Sequence, residues 1–583
     1  MGISGLFGFV VKGKFYKVVD LQKIAEEFKK KSGEDPVIAV DGSACMWHIY
    51  EPLDFLRGGQ YKKFRDYCAN FVQRFRDNGI HLVLFFHGVP VEDEIHTWTD
   101  KKKDKTMFVS NLFSSLRSGA VRTDSTVRTL PEAVIPAARV IFEHLGCRVY
   151  LSKGNCKHDI AKYVSSTKHC IGVLTNDSDF FAMKGVSSVL TFRNLEKDGK
   201  LKTYQFRPVD IATHLGIGQE HMPTFATFVG NDFVRADLLF MAHGNLKKRY
   251  PEKTTNIEQV AEMMKDEDPC DIVNMCKIVF HGKWRDALPM VEAGIRSYSY
   301  EPTSWENLVA HVEDKHSSGE IPGTLLSVMK RQVFRIGEVL EDLSETKQDF
   351  PTTGLVLRPM RARMYKVLLW ESDCGLCRVT EYLLTETGKV RKEEVEVEKR
   401  LPAGMEHPGL LQLWTSDNAQ RRWRFFTWLV APYAKPSLLE ELDPQFLVVP
   451  AAALLFLKHE ARVLHDHEVT AFCATAAAVA GLPATGQPAN IVKTPDERAI
   501  YLASLFMRCV LHVLDAAATC GIAFPREIDC LPDAYFDGIV FHNICVTTRN
   551  GKDPKTLDMF NPQHEVKFEQ LMRVIKWNQS KNP

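Results

Sequence analysis

The sequence predicts an α/β domain built on a parallel sheet, followed by a mainly helical C-terminal domain. In the first 235 residues, short β-rich runs that end in polar residues alternate with helical patterns, which is typical of βαβ architecture. In the C-terminal part, two strongly helical regions cover 450–481 and 496–520. The predicted domain bounds are 1–235 for the α/β domain, 236–345 for a helical extension and 346–583 for the C-terminal domain.

Four runs in the first domain are predicted to be buried parallel strands. They are VIAVDG (37–42), HLVLFFHG (81–88), RVYLS (148–152) and IGVLTNDSD (171–179). Residues 61–78 between the first two runs place apolar side chains on one helical face, and Gly79 is predicted to end that helix.

Functional groups of open parallel sheets collect just past the carboxyl ends of the strands. This sequence places Asp41, His87, Asp177 and Asp179 there. Aspartates at the ends of adjacent strands repel each other unless a cation or hydrogen bonds compensate. A divalent metal would compensate, as in two-metal phosphodiesterases. The alternative is that Asp41 and Asp177 cap the helices that follow their strands, and the residues alone leave both interpretations open.

Composition excludes several classes of protein. Of 583 residues, 45% are hydrophobic and 25% are charged, which argues against a fibrous or largely disordered chain. The net charge of +1 means that nucleic-acid binding would need local basic patches.

The cysteines lack the dense spacing of a disulfide framework, which predicts a reducing compartment. The expected location is the cytoplasm, with the nucleus as a second compartment. Arg508, His512 and Asp515 argue against a membrane span near 500–520.

A polar insertion, residues 91–130, has no clean strand period and is rich in Lys, Arg, Ser and Thr. It is predicted to be a loop or a helical excursion over the strand ends. Single strands are held by phosphate contacts and base stacking, so single-stranded RNA, if bound, is predicted to contact this insertion. The predicted contacts are Trp98, Lys101, Lys102, Lys103, Lys105, Arg117 and Arg122. Ordinary solvated surface charge is the alternative, and the cluster at 421–424 is the second choice for an RNA site.

Several motifs resemble known families. MGISGLFGFV, VDGSACMWHIY, FFHGVP, GVLTNDSDFF and FVGNDF together resemble the flap-endonuclease/XPG superfamily, which has a PIN-like core. In the second half, RPMRARMY, LPAG, AIYLASLFMRCVLHVLDAAATCG and AYFDGIVFHN resemble the constitutive coactivator of PPAR-gamma family. The resemblance implies a PIN-like, XPG-type parallel-sheet domain joined to a family-specific, mainly helical domain.

The resemblance also identifies a carboxylate pocket. Active nucleases of the superfamily hold metal ions with carboxylates, and the matching positions here are Asp41, Asp177, Asp179 and Asp232. Three positions depart from the pattern. His87 stands where the superfamily has Asp, and Asn155 and Lys157 stand where it has two acids; Asp159 lies one helical turn beyond Asn155.

The three departures predict a loss of catalysis. Mg²⁺ prefers carboxylate and water oxygens, and an ammonium about 4 Å from a divalent ion costs about 8 kcal/mol at an effective dielectric constant of about 20. Lys157 is therefore predicted to replace a metal. The residual aspartates are predicted to pair with Lys157 or to cap backbone amides. No catalytic residue, metal or other cofactor is expected; Mg²⁺ belongs only to the nuclease alternative.

The predicted function is a catalytically inactive XPG-like scaffold that binds single-stranded RNA and protein partners, as the coactivator-family resemblance implies. Neither a membrane nor a small-molecule substrate is expected. One alternative is a metal-dependent, structure-specific nuclease that uses Asp41, Asp177, Asp179 and Asp232. The other is a pure protein-interaction scaffold.

Overall fold

A computed structural model of the chain contains two compact units. The first comprises residues 1–48, 70–98 and 145–304, and the second comprises 49–69, 99–144 and 305–583. The structure describes the whole chain except residues 1, 89–94, 119–128, 196–198, 300–309, 332, 337–339, 342–349, 372–376, 385–388, 398–399, 443–446, 480–491, 493, 523–530, 558–559 and 577–583.

The first unit is built on a seven-stranded sheet. Its strands are β1 (Lys17–Asp20), β2 (Val37–Asp41), β3 (His81–Phe86), β4 (Arg148–Leu151), β5 (Cys170–Leu174), β6 (Val189–Leu190) and β7 (Lys202–Phe206). Their order is β1-β7-β6-β5-β2-β3-β4. Strands β2 to β6 pair in parallel, whereas β7 pairs antiparallel with both β6 and β1. All four predicted strands are therefore confirmed. The pattern reading missed β1, β6 and β7, because these strands are short or partly exposed.

Helices cover this sheet and continue past it to residue 296. Those that lie wholly or partly in the first unit are α1 (Leu6–Lys12), α2 (Leu21–Ser32), α3 (Gly42–Tyr50), α4 (Tyr61–Asp77), α5 (Ile95–Arg117), α7 (Cys156–Ser166), α8 (Pro208–Leu215), α9 (Met222–Val229), α10 (Ala236–Arg249), α11 (Asn256–Asp266), α12 (Ile272–Phe280) and α13 (Trp284–Arg296). The predicted stop of α4 is confirmed, since Gly79 has φ = 68°, a left-handed conformation that glycine adopts without steric cost. The boundary between the units falls inside α3, α4 and α5.

The apolar face of the parallel strands forms the core of the first unit. Val37 and Ala39 of β2 and Val173 of β5 join it, as do buried residues from α7 to α13 such as Phe225 and Met263. The helices that follow the sheet thus pack into the same core as the strands, instead of forming a core of their own. This shared core holds the carboxyl ends of β2 and β5 and the end of α13 in one unit.

The second unit is mainly helical, as the sequence predicts. Its helices are α6 (Val134–His144), α14 (Ala310–Ser317), α15 (Gly323–Arg331), α16 (Thr353–Val356), α17 (Arg358–Leu368), α18 (Leu410–Thr415), α19 (Ala419–Val430), α20 (Ser437–Glu440), α21 (Val448–Leu455), α22 (Asp466–Val479), α23 (Glu497–Thr519), α24 (Gly538–Arg549) and α25 (Pro562–Ile575). A small sheet adds β8 (Val333–Arg335), β9 (Cys377–Leu384) and β10 (Val390–Val397), in the order β10-β9-β8.

Helix α23 is long and apolar enough to cross a membrane by length and composition alone. However, 78% of its most apolar stretch is buried inside the protein. Its buried side chains include Ile500, Leu505 and Val510. Within the described residues α23 is therefore a core helix of the second unit.

The boundaries between the two units differ from the domain bounds predicted from the sequence. Residues 49–69 and 99–144 join the helical unit although they come early in the chain. The insertion at 91–130 is largely the helix α5, which matches the helical alternative of the prediction. Val109 and Phe113 of α5 pack with Leu340 and Ile500 in one apolar cluster, so this helix belongs to the interior of the second unit as well as to its surface.

Candidate functional site

The parallel pairing of β2 and β5 brings the first carboxylate of the pocket to the sheet edge. Val40 lies beside Leu174, so the residues that follow these two strands are neighbours. Thr175 Oγ1 donates to Asp41 Oδ2 at 2.8 Å, and the backbone N–H of Ala44 donates to Asp41 Oδ1 at 3.2 Å. Asp41 therefore caps the start of α3, as the capping alternative predicts.

Asp177 and Asp179 lie in the turn that follows β5. Asp177 is the N-cap of a 3₁₀ helix, Ser178–Phe181, and its Oδ1 accepts from the backbone N–H of Asp179 at 3.1 Å. The capping alternative thus applies to Asp177 too. One oxygen of Asp177 is occupied by the backbone, and its other oxygen is available to a cation.

Helix α7 supplies that cation. Asn155 is the N-cap of α7, and its Oδ1 accepts from the backbone N–H of Lys157 at 3.0 Å. This cap places Lys157 in the first turn. Asp159 lies in the same first turn and accepts a hydrogen bond from Ser152 Oγ, so Asp159 does not replace the missing acid at Asn155.

The ammonium of Lys157 bonds to both carboxylates of the turn. Its Nζ lies 2.9 Å from Asp177 Oδ2 and also donates to Asp179 Oδ2. As predicted for the residual aspartates, Asp179 pairs with Lys157, Asp41 caps a backbone amide and Asp177 does both. For Asp232 the prediction stays a prediction. A lysine ammonium thus provides the charge compensation that these carboxylates need.

The electrostatics of this cluster follow from its burial and its charges. Burial disfavours the charged form of Lys157, but the attraction of Asp177 and Asp179 prevails and holds the pKa of Lys157 well above its usual value. Burial likewise opposes the charged carboxyl of Asp177, yet Lys157 keeps the pKa of Asp177 below its usual value. For Asp179, burial and the like charges of Asp177 and Asp232 outweigh Lys157 and raise the pKa.

A tyrosine that the sequence reading missed covers the same carboxylate. Tyr298 follows α13, is 3% exposed, and donates from its hydroxyl to Asp179 Oδ1 at 3.0 Å. The preceding residue, Ser297, accepts from His158 Nε2 through its carbonyl at 2.6 Å. No local pattern indicates this role, because 119 residues separate Tyr298 from Asp179.

The remaining predicted pocket residues are less closely tied to Lys157. Asp232 is half-buried and acts on Asp179 through its charge. His87 follows β3 and is exposed. Among the described residues, no hydrogen bond or ion pair joins His87 to Lys157, Asp177 or Asp179. The structure therefore gathers Lys157, Asp177, Asp179 and Tyr298, with Asp232 near them.

The residues present do not fit a divalent metal ion. The ammonium of Lys157 lies within bonding distance of both Asp177 and Asp179, so a metal on these oxygens would lie against a positive charge. Within the described ranges, no group of three or more His, Cys, Asp or Glu side chains is placed to hold a metal ion.

The structure changes the interpretation of the predicted RNA contacts. Lys102 is 6% exposed, because it lies on the same face of α5 as the buried Thr106 and Val109, four and seven residues later. Burial makes the ammonium of Lys102 less accessible to a phosphate, and the RNA contact at Lys102 stays a prediction. Arg117 pairs with Glu497 at 2.9 Å.

The other predicted contacts stay predictions. Lys103 is exposed, whereas Trp98 and Lys105 are half-buried. Arg122 and the side chain of Lys101 lie outside the described residues. In the alternative cluster, Arg422 donates to the carbonyls of Leu413 and Trp414, both at 3.0 Å, which is a structural role at the end of α18.

The sequence of this chain is similar to those of several known proteins. No family model matches the chain. The constitutive coactivator of peroxisome proliferator-activated receptor gamma of Bos taurus is 22% identical over 677 aligned positions, which cover 99% of this chain and 95% of the relative. The human protein of that name is 25% identical over 237 residues, or 40% of this chain and 26% of the relative. Constitutive coactivator of PPAR-gamma-like protein 1 of Bos taurus is 26% identical over 296 residues, or 46% of this chain and 25% of the relative.

Solved nuclease structures align with lower similarity. The catalytic core of Rad2 in complex with a DNA substrate aligns over 55% of this chain and 95% of its own, with 14% identity and a TM-score of 0.30. Human GEN1 in complex with Holliday junction DNA aligns over 70% and 90%, with 13% identity and a TM-score of 0.32. Flap endonuclease-1 of Methanococcus jannaschii aligns over 51% and 100%, with 11% identity and a TM-score of 0.26. These values are too low to support any inference about activity.

The strand order, the carboxylates at the ends of β2 and β5 and the helical second unit define an α/β protein with a mostly parallel sheet, a helical C-terminal portion and a lysine in its carboxylate pocket. Over 99% of its length the chain is homologous to the constitutive coactivator of peroxisome proliferator-activated receptor gamma of Bos taurus.

Proposed function

We propose that this protein is a catalytically inactive nuclease-fold scaffold that binds RNA and protein partners. The observation that carries the proposal is the ammonium of Lys157, which bonds to Asp177 and Asp179. These are the carboxylates that the superfamily resemblance assigns to metal binding.

The chemistry of phosphodiester cleavage supports the inactive assignment. A two-metal site activates water and stabilises both the attacking and the leaving oxygen. An ammonium in the same place neutralises the carboxylates but offers no vacant coordination position for water. Tyr298 further occupies Asp179 Oδ1. Asp177 and Asp179 then stabilise the fold through Lys157 instead of binding metal.

The scaffold part of the proposal rests on homology. The relatives are named as coactivators, and a coactivator acts by contacting other proteins. The RNA part rests on exposed basic residues, since the net charge of +1 provides no general attraction for a polyanion. Protein contacts in the absence of any RNA binding would favour the pure protein-interaction alternative.

The first prediction tests catalysis. Purified protein should not cut flap, single-stranded or hairpin substrates in Mg²⁺ or Mn²⁺, because Lys157 occupies the carboxylates. Substrate cleavage is followed on denaturing gels, with an active flap endonuclease as the positive control and Asp177→Asn as the matched variant. Cleavage by the wild-type chain that Asp177→Asn abolishes would contradict the proposal and favour the nuclease alternative.

A further inference from the structure

We infer that the corner between α12 and α13 binds the phosphodiester backbone of a single-stranded nucleic acid. The corner patch consists of Lys277, His281, Lys283, Trp284 and Arg285. The inference rests on the RNA binding that we propose for this protein, and it assigns that binding to the corner patch. The corner patch lies outside both the carboxylate pocket and the insertion at 91–130.

The charge of the corner patch is strongly one-sided. The segment KIVFHGKWR (277–285) contains three permanent cations and one histidine, with no acid. Lys277, His281, Lys283 and Arg285 are all exposed. Within the described part of the chain, none of the four forms an ion pair with a carboxylate. Because the whole chain carries a net charge of only +1, this patch is a local positive field of the kind that attracts a polyanion.

One aromatic side chain positions cations from both helices. Lys277 Nζ of α12 lies 5.3 Å from the centre of the Trp284 ring, and Arg285 Cζ of α13 lies 4.6 Å from it. Cation–π contacts of this length hold the two charges close together without neutralising them. Less side-chain freedom is then lost when an anion binds.

The start of α13 adds to the same field. Trp284 is the first residue of α13, and Lys283 is its N-cap. Cations at a helix N-terminus are unfavourable for the helix itself, whereas an anion there is stabilised by the helix dipole. Asp286 is the acid of this first turn. Together with Asp237, which contributes more, Asp286 raises the pKa of Arg235. Asp286 also directly follows Arg285, so it offsets part of the positive charge of the patch and leaves a net excess of cations.

The patch extends onto a neighbouring helix. Asn245 of α10 donates from Nδ2 to the carbonyl of Val279 at 2.8 Å, which joins α10 to the end of α12. Lys247 and Lys248 follow two and three residues later and are exposed. Two further lysines therefore lie on the helix that bonds to the end of α12.

This arrangement favours a flexible strand over a duplex. A helix–helix corner offers no long straight track, and duplex DNA bends over small distances only at considerable cost. A flexible single strand can bend around such a corner. Its phosphates bind to cations, and this binding does not require side chains that hydrogen-bond to the base edges. Phosphate contacts do not separate RNA from DNA, so the experiment includes both.

The test uses the full chain and fluorescence anisotropy with an unstructured oligouridine and the matching oligothymidine, at salt from about 50 to about 200 mM. The triple variant Lys277→Gln, Lys283→Gln and Arg285→Gln should bind at least about tenfold more weakly at the low salt. Each lost phosphate contact removes about 0.7 from the magnitude of the salt slope, so the slope should fall by about 2. Trp284→Phe should weaken binding severalfold, because phenylalanine is a poorer cation–π partner than tryptophan.

A matched control changes the same charge elsewhere. The triple variant Lys23→Gln, Lys30→Gln and Lys31→Gln alters three exposed lysines on α2 and should leave both the affinity and the slope unchanged. Circular dichroism melting checks that every variant folds. If the corner triple variant fails to fold, Lys283→Gln alone should lower the slope by about 0.7.

The outcomes separate the corner patch from the proposed function. Wild-type binding that the corner variant retains in full would overturn the corner patch and leave RNA binding intact. No wild-type binding at low salt would overturn RNA binding and the corner patch together. Competition by polyglutamate as effective as that by oligouridine would assign the patch to acidic proteins and overturn the inference. Weaker binding by the corner variant to RNA and DNA alike would support a phosphodiester site, and an effect on DNA alone would overturn its assignment to RNA.

Discussion

Lys157 links two carboxylates that would otherwise repel each other. Asp177 has 12% and Asp179 has 10% of its side chain exposed, so water screens the pair weakly. An isolated buried charge is far more costly than a paired one. The lysine is therefore needed for the stability of the turn after β5, whatever else the pocket does.

The second prediction is that Lys157→Met lowers the free energy of unfolding by about 3 to 5 kcal/mol, the usual cost of breaking a buried ion pair. The loss should shrink at acidic pH, because Asp177 and Asp179 then become protonated and need no partner. Chemical denaturation at several pH values measures it.

Lys162→Met is the matched control for Lys157→Met. Lys162 is exposed on the same helix, and its replacement should change the free energy of unfolding by no more than about 0.5 kcal/mol. A loss in Lys157→Met as small as that of the control would contradict the importance of the pairing.

The third prediction concerns Glu341 in the second unit. Burial raises the pKa of Glu341 to about 7, against 4.5 for the free side chain, even though Thr353 donates to its Oε2 from N–H at 2.8 Å and from Oγ1 at 2.6 Å. Between these two pH values the folded state binds more protons than the unfolded state. The free energy of unfolding should therefore fall by about 3 kcal/mol as pH rises through this window.

Glu341→Gln should remove this contribution, because the amide has no proton to lose. Urea titrations at pH values across the window compare the variant with the wild type. Glu440→Gln, at an exposed position on α20, should keep the pH dependence of the wild type. A Glu341→Gln variant that still loses the same stability would assign the pH dependence to another group.

At the scale of elements, a buried ion pair joins α17 to the small sheet. Arg361 of α17 is 1% exposed, and its Nε donates to Oε1 of the fully buried Glu381 on β9 at 2.9 Å. Tyr365 donates to the same oxygen at 2.8 Å, and Arg358 donates to Glu381 Oε2 at 2.8 Å. The glutamate thus receives a donor from three successive turns of one helix, which determines how α17 and β9 pack.

The fourth prediction compares this pair with an exposed one on the same strand. Arg361→Met should cost about 3 to 5 kcal/mol of stability, because it leaves Glu381 short of charge compensation in a buried site. Arg378→Met removes a pair with Glu396 at 3.1 Å whose side chains are 57% and 62% exposed, and should cost no more than about 1 kcal/mol. Equal losses in denaturant titrations would contradict the assigned role of burial.

At the scale of the whole molecule, metal binding and stability are linked. A ligand that binds only the folded state stabilises it by about 2.7 kcal/mol at a concentration of about 100 times its Kd. A carboxylate pocket that already contains a cation gains nothing from a second one. The response of the melting temperature to Mg²⁺ therefore tests the pocket without any assay of activity.

The fifth prediction is that Mg²⁺ does not raise the melting temperature of the wild-type chain beyond the effect of NaCl at equal ionic strength. The same addition should raise the melting temperature of Lys157→Met, because Asp177 and Asp179 then lack a counter-ion. Differential scanning fluorimetry measures both. A wild-type shift specific to Mg²⁺ would show that the pocket accepts a metal beside Lys157.

Features that depend on short stretches of chain could be predicted from the residues alone. The period of apolar residues identified β2, β3, β4 and β5 and the helix α4 with its stop at Gly79. The order of strands implied that Asp41 and Asp177 lie at one sheet edge, and the departure at Lys157 predicted its pairing.

Contacts between residues that are distant in sequence became visible in the folded chain alone. Tyr298 reaches Asp179 across 119 residues, and β1 pairs with β7 far along the chain. Lys102 is buried because the face of α5 that carries it packs into the second unit with Val109 and Phe113, whereas its sequence neighbourhood indicated solvated charge. Local periodicity encodes which face of an element is apolar, but what covers that face depends on packing between segments whose separation in sequence carries no pattern.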